Sequence, residues 1–164
     1  MKSMTYILII AQLWGCFGKK PTLKTGHEGK TLPSMTLLLM DSSTHLDLKD
    51  VSSSQPIVLF YFSPICPYCR TLTNSLTEDI KKVSQLKIYM ISSFPYEEIM
   101  KYYKEFKLNE YSNIIVGQDY QYSFSQYFKS PGVPCLAIYD RNKLLKEVLI
   151  GAVSPSLIND IALE

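Results

Sequence analysis

Hydrophobic and polar positions along this chain switch repeatedly between a two-residue and a near-four-residue period. Residues 36–40 (Thr-Leu-Leu-Leu-Met) and 45–48 (His-Leu-Asp-Leu) are short apolar runs around Asp41-Ser-Ser-Thr44, which predicts a hairpin. Residues 57–62 (Ile-Val-Leu-Phe-Tyr-Phe) are continuously apolar and rich in β-formers, which predicts a strand covered on both faces. Leu72, Leu76, Ile80 and Val83 then recur at helical steps. Residues 87–91 read as another strand. Ser93-Phe-Pro95-Tyr-Glu-Glu98 has an N-cap candidate, an early proline and acids in the first turn, and predicts a helix with Ile99, Tyr103 and Phe106 inward. Residues 113–116 predict a short strand, and residues 120–128 a short helix with Tyr120, Phe124 and Tyr127 or Phe128 inward. Residues 135–139 and 144–150 flank the turn signal Asp140-Arg-Asn142, a second hairpin. Ser154-Pro155 opens a last helix with Leu157, Ile158 and Ile161 on one face. Strands alternating with helices imply an α/β sandwich around a mixed sheet.

The remaining apolar run, Tyr6 to Trp14, follows Lys2 and precedes the small residues Gly15, Cys16 and Gly18. It is shorter than the roughly 20 residues that span a bilayer and has the length of a signal h-region. Export places the mature chain where disulfides persist. Leu13-Trp14-Gly15-Cys16 also resembles a bacterial lipobox, although Trp14 is bulky for its position. On that reading residues 1–15 are removed and Cys16 carries the lipid; cleavage after Gly18 would instead discard it. Residues 16–31, with Pro, Gly and charges but no period, read as a tether ahead of a domain at 32–164.

Composition narrows the class. The chain has 164 residues, enough for one domain with a sizeable core. Seventeen basic residues against 15 acidic ones give no basic face to suggest a nucleic-acid partner. Four cysteines are too few for a disulfide scaffold, so each needs its own account.

Cys66-Pro67-Tyr68-Cys69 falls between the apolar strand and the helix carrying Leu72 and Leu76. A cysteine at a helix N-terminus faces unpaired N–H groups and the positive end of the helix dipole, which favours its thiolate. Cys69 lies one turn on, within disulfide reach, and Pro67 suits the first helical position. The spacing supplies an attacking thiolate, Cys66, and a resolving thiol, Cys69. The same pair could be half a zinc site or a structural staple. Zinc needs two more ligands, and His27, His45 and Cys135 stand apart in the sequence, so no metal is expected.

With Gly132-Val133-Pro134-Cys135 entering a strand about 65 residues further on, the chain resembles the thioredoxin superfamily, over about residues 31–164. The N-terminal hairpin and the extra strand and helix at 113–128 look like its TlpA/ResA and peroxiredoxin-related branch. The resemblance implies a thioredoxin-like three-layer sandwich and a thiol–disulfide oxidoreductase without a cofactor. It also implies a cis Pro134 beside the redox pair, a Val133 backbone that pairs with substrate, and Pro67 and Tyr68 in contact with it. The partners implied are disulfide-containing exported proteins and a membrane thiol donor or acceptor. Three positions depart from the family's pattern. Ile65 replaces its tryptophan, Phe60 its buried acid, and Leu72 the glutamate of many cytochrome-maturation members, so no proton acceptor for Cys69 is apparent. A non-catalytic binding protein is an alternative. So is a peroxidase, although Leu59 and Ser63 stand where a peroxiredoxin carries proline and threonine.

Among the other residues, Cys135 reads as a small core residue or a third redox thiol. Arg70 reads as a solvated charge or a contact for acidic partners. Seven of the 12 tyrosines fall at 96–127, mostly as packing residues, with any exposed ones available for docking.

Overall fold

The computed structural model describes residues 21–52 and 54–164. The signal segment 1–15 and Cys16 lie outside the described residues. Seven strands and four helices follow in the order β1 (Thr36–Leu39), β2 (His45–Asp47), β3 (Ile57–Tyr61), α1 (Pro67–Glu78), β4 (Lys87–Ser92), α2 (Tyr96–Glu105), β5 (Ile114–Gln118), α3 (Ser123–Phe128), β6 (Cys135–Tyr139), β7 (Leu145–Ile150) and α4 (Pro155–Leu163). One mixed sheet runs β2-β1-β5-β4-β3-β6-β7. The β3–β4 and β4–β5 pairs are parallel and the others antiparallel.

Strand alternation divides the core in two. Val58, Phe60, Ile88, Met90, Val116, Leu136 and Ile138 point to one face, where they meet Leu72 and Leu76 of α1, Ile99 and Tyr102 of α2, and Ile158 and Ile161 of α4. Ile57, Leu59, Tyr89, Ile91, Cys135, Ala137 and Tyr139 point to the other, under Phe124 and Phe128 of α3, Leu32, Met35 and Leu48. The parallel crossovers β3–α1–β4 and β4–α2–β5 advance across the sheet in one direction. A common handedness therefore lays both helices on one face. The result is the three-layer α/β sandwich expected. No helix among the described residues is long and apolar enough to cross a membrane.

Four local expectations are corrected. The helical run from Leu72 stops at Glu78; Asp79 leaves helical geometry and Ile80–Val83 forms a separate 3-10 turn. On α2 it is Tyr102, not Tyr103, that is fully buried, because Ile99, Tyr102 and Phe106 follow the three-then-four step of one helix face. The cap of α2 is Pro95, not Ser93. The third helix begins only at Ser123, since Tyr122 adopts the left-handed conformation at φ 57°, and Tyr120 is exposed. The buried Asp119 starts that helix by accepting from the N–H groups of Ser123 and Phe124, each at 2.9 Å.

Part of the segment read as a tether is laid along β7. Thr22 bridges Leu149 and Thr31 bridges Leu144. Backbone bonds run from Ile150 N to Pro21 O at 2.8 Å and from Leu145 N to Lys30 O at 2.8 Å. His27 stacks on Tyr127 with ring centroids 4.1 Å apart.

Candidate active site

The nucleophile candidate sits where a strand hands over to a helix. Ser63 and Pro64 follow β3 and are buried, and the N–H of Cys66 donates to the carbonyl of Ser63 at 3.1 Å, closing a tight turn. Cys66 is the N-cap of α1, with extended backbone and Pro67 at the first helical position. Its Sγ accepts from the backbone N–H of Cys69 at 3.5 Å. A helix N-terminus thus directs a backbone donor at this sulfur.

Cys69 is fully buried and Cys66 half-buried. Burial pushes the Cys69 thiol up to about 12; the Cys66 side chain adds to this, and the backbone of Ser63 opposes it. The two thiols, unbridged here, are therefore unequal: one is open to attack from outside, the other shielded and proton-retaining.

The second loop arrives from β6. Tyr61 at the end of β3 pairs with Cys135 at the start of β6, which sets the preceding residues beside the turn that carries Cys66. The Val133–Pro134 peptide bond is cis. The carbonyl oxygen of Val133 lies 3.7 Å from Cys66 Sγ, which is within range of its thiol as a donor. Pro67 and Tyr68 are exposed at the tip, Tyr68 by 67% and neighbouring Ile65 by 73%. These two large side chains flank Cys66 along the chain and project into solvent.

Cys135 is separated from this pair. Strand alternation turns its side chain to the opposite face of the sheet, where it is fully buried with Ala137 and Tyr139, whereas Cys69 belongs to the α1 face. Burial pushes its thiol up to about 11. The sheet therefore stands between the Cys135 side chain and the Cys66–Cys69 pair, which fits the reading of Cys135 as a core residue.

Three groups around the site were not singled out in the sequence. Tyr102 of α2 donates its hydroxyl to Thr73 Oγ1 at 2.7 Å and reaches the carbonyl of Cys69 at 3.3 Å. Thr73 is itself buried, four residues after Cys69 on the same helix face. Glu105 pairs with Arg70. Arg70 is thus neither simply solvated nor free for acidic partners. Its guanidinium also donates to the carbonyl of Pro64 at 3.3 Å and lies over the rings of Tyr102 and Phe106, 5.6 and 5.0 Å from their centroids. A helical stripe two turns long on α2 was the available signal for Tyr102. Nothing in the sequence signalled the Arg70–Glu105 pairing, which joins residues 35 apart.

Among the described residues no group of three or more His, Cys, Asp or Glu side chains could hold a metal ion.

No family model matches the chain and no curated protein matches it. Solved structures do resemble it. A secreted Mycobacterium tuberculosis disulfide oxidoreductase homologous to Escherichia coli DsbE superposes with a TM-score of 0.64 at 17% identity, covering 79% of this chain and 94% of that one. A putative thiol:disulfide interchange protein DsbE from Chlorobium tepidum gives 0.68 at 14% identity, covering 82% and 94%. Peroxidoxin BcpB from M. tuberculosis gives 0.65 at 17% identity, covering 83% and 93%. At these identities the likeness shows the fold, which is thioredoxin-like and spans nearly all of each neighbour.

Proposed function

We propose that this thioredoxin-fold chain is a thiol–disulfide oxidoreductase of exported proteins, with the reductase direction favoured. The observation that carries the reading is the placement of Cys66 Sγ. It caps α1, takes the N–H of Cys69, and faces the carbonyl of Val133 beside a cis proline. The secreted and DsbE-type neighbours fit the same reading.

In the reductase direction the Cys66 thiolate attacks one sulfur of a substrate disulfide. The substrate S–S bond breaks, a Cys66–substrate disulfide forms, and the departing sulfur takes up a proton. Cys69 then loses its proton and attacks Cys66 Sγ. The Cys66–Cys69 disulfide forms and the second substrate sulfur leaves as a thiolate, which the released proton neutralises. Two electrons have passed to the substrate, and a membrane thiol donor returns the pair to the dithiol. Val133 and Pro134 line the cleft in which the substrate backbone lies, and Pro67 and Tyr68 meet its flanks. With residues 1–15 removed, an acyl anchor on Cys16 would hold the protein at the periplasmic face of a bacterial membrane.

The test is covalent trapping. Cys69→Ser leaves the first step intact and removes the second, so DTT-sensitive adducts accumulate on Cys66 in cells. Absence of such adducts sinks the reading. Peroxide consumption that survives Cys69→Ser would move the assignment to a peroxidase.

A further inference from the structure

We propose that Arg70 is a positioning residue for the nucleophile, acting through the turn that carries Cys66. The inference rests on the oxidoreductase reading and extends it to a residue outside the Cys-Pro-Tyr-Cys motif.

Arg70 is where three parts of the site are joined. Its backbone N–H donates to the carbonyl of Cys66 at 3.1 Å, so it belongs to the first turn of α1. Its side chain folds back to the carbonyl of Pro64, two residues before the nucleophile. The guanidinium is then fixed from the α2 side by the Glu105 carboxylate and by the faces of Tyr102 and Phe106. Those rings are themselves held: Tyr102 is buried and bonded to Thr73 and to the Cys69 carbonyl.

The turn at Pro64–Cys66 carries the nucleophile to the surface of the domain. Ile65 projects into solvent, and Cys66 is only half-buried. Attack on a disulfide needs the sulfur aligned with the S–S axis, and misplacement by about 1 Å can cost up to 100-fold in rate. A planar guanidinium can bond a carbonyl, pair with a carboxylate and stack on two rings at once. An ammonium cannot, so lysine is a poor substitute.

The experiment measures reduction of insulin by the exported chain with DTT as electron donor, as kcat and KM, beside the thermal midpoint. Arg70→Met is expected to lower kcat about tenfold with KM unchanged within about twofold. Arg70→Lys should not rescue it. Glu105→Gln, which loosens the guanidinium from an exposed position, should give an intermediate loss and keeps the question answerable if Arg70→Met does not fold. A rise in KM at unchanged kcat would make Arg70 a docking contact and overturn the proposal. So would unchanged kinetics, or full rescue by lysine. If the wild-type chain shows no turnover that depends on Cys66, the oxidoreductase reading falls and this role falls with it. If turnover depends on Cys66 but not on Arg70, only this role falls.

Discussion

The backbone N–H of Cys69 donates to the sulfur of Cys66 across 3.5 Å, so in the proposed mechanism the resolving residue also holds the nucleophile. The same residue retains its own proton, because burial pushes its thiol up to about 12. Cys66 is the sulfur that meets reagents first. In the wild-type dithiol at about neutral pH, iodoacetamide should modify Cys66 and spare Cys69, read by mass spectrometry of tryptic peptides. Modification of Cys69 at a comparable rate would contradict the assignment of roles.

Alkaline pH should destabilise the fold. The ordinary thiol value is 9.0, and burial raises Cys69 to about 12 and Cys135 to about 11. Burial moves the phenols of Tyr102 and Tyr139 in the same direction. Groups raised in the folded state bind protons more tightly there, so their contribution is complete below the unfolded value and is lost as pH climbs through the folded one. The urea midpoint should hold near neutrality and fall steadily above about pH 9. A flat profile up to about pH 11 would refute this linkage.

Cys135→Ala should separate stability from chemistry. The side chain lies beneath the opposite face of the sheet from Cys66 and Cys69. The substitution removes one buried sulfur and should cost on the order of 1 kcal/mol in urea denaturation. The insulin-reduction rate should stay unchanged. A lost or altered rate would show that Cys135 exchanges disulfides after all.

Gly117 holds β1 against β5 by having no side chain. An added Cβ would come within 2.8 Å of Leu37 Cβ and 3.4 Å of the Leu38 carbonyl. Neither atom is the far end of a flexible side chain. Gly117→Ala should therefore cost about 1–3 kcal/mol, measured by urea denaturation. A stabilised variant would mean that β1 can shift away at no penalty.

Asp119→Ala should unfasten α3. The carboxylate is the acceptor for two helix N–H groups in a fully buried site. Losing it leaves both donors without that partner, at a cost of about 2–3 kcal/mol. Asp119→Asn keeps one carbonyl oxygen and should retain a substantial part of the stability. Equal losses for the two variants would argue that charge, not acceptor geometry, holds the turn.

The elements that could be read from the sequence were those whose signal is local. The apolar run at 57–62 needed no partner to be recognised as a strand, and Ser154-Pro155 announces its helix by capping chemistry, with Ser154 Oγ accepting from the Leu157 N–H at 3.2 Å. The placement of Cys66 and Cys69 at a helix start was legible for the same reason, since spacing and capping chemistry define it. Groups arriving from α2 were not. Tyr102 and Tyr103 are chemically identical neighbours, and only the packing angle of α2 decides which one enters the core. The lead-in at 21–31 has no period because its order comes from β7, through backbone bonds to which side-chain patterning is blind.

That lead-in fixes where the chain joins the domain. Pro21 bonds Ile150, Ile150 pairs with Cys135, and Cys135 pairs with Tyr61, so these residues form one row across the sheet on the rim that bears Cys66. The row spans three strand spacings, about 14 Å. The last helix leaves this rim at Gly151 and packs on Ile80–Val83, the turn that precedes β4 at the other end of the sheet. Residue 21, the first described, thus lies on the rim that bears Cys66, whereas α4 runs toward the other end of the sheet. An anchor or fusion joined ahead of residue 21 would therefore meet the domain on the rim that bears Cys66, whereas a fusion joined after Glu164 would meet it toward the other end of the sheet.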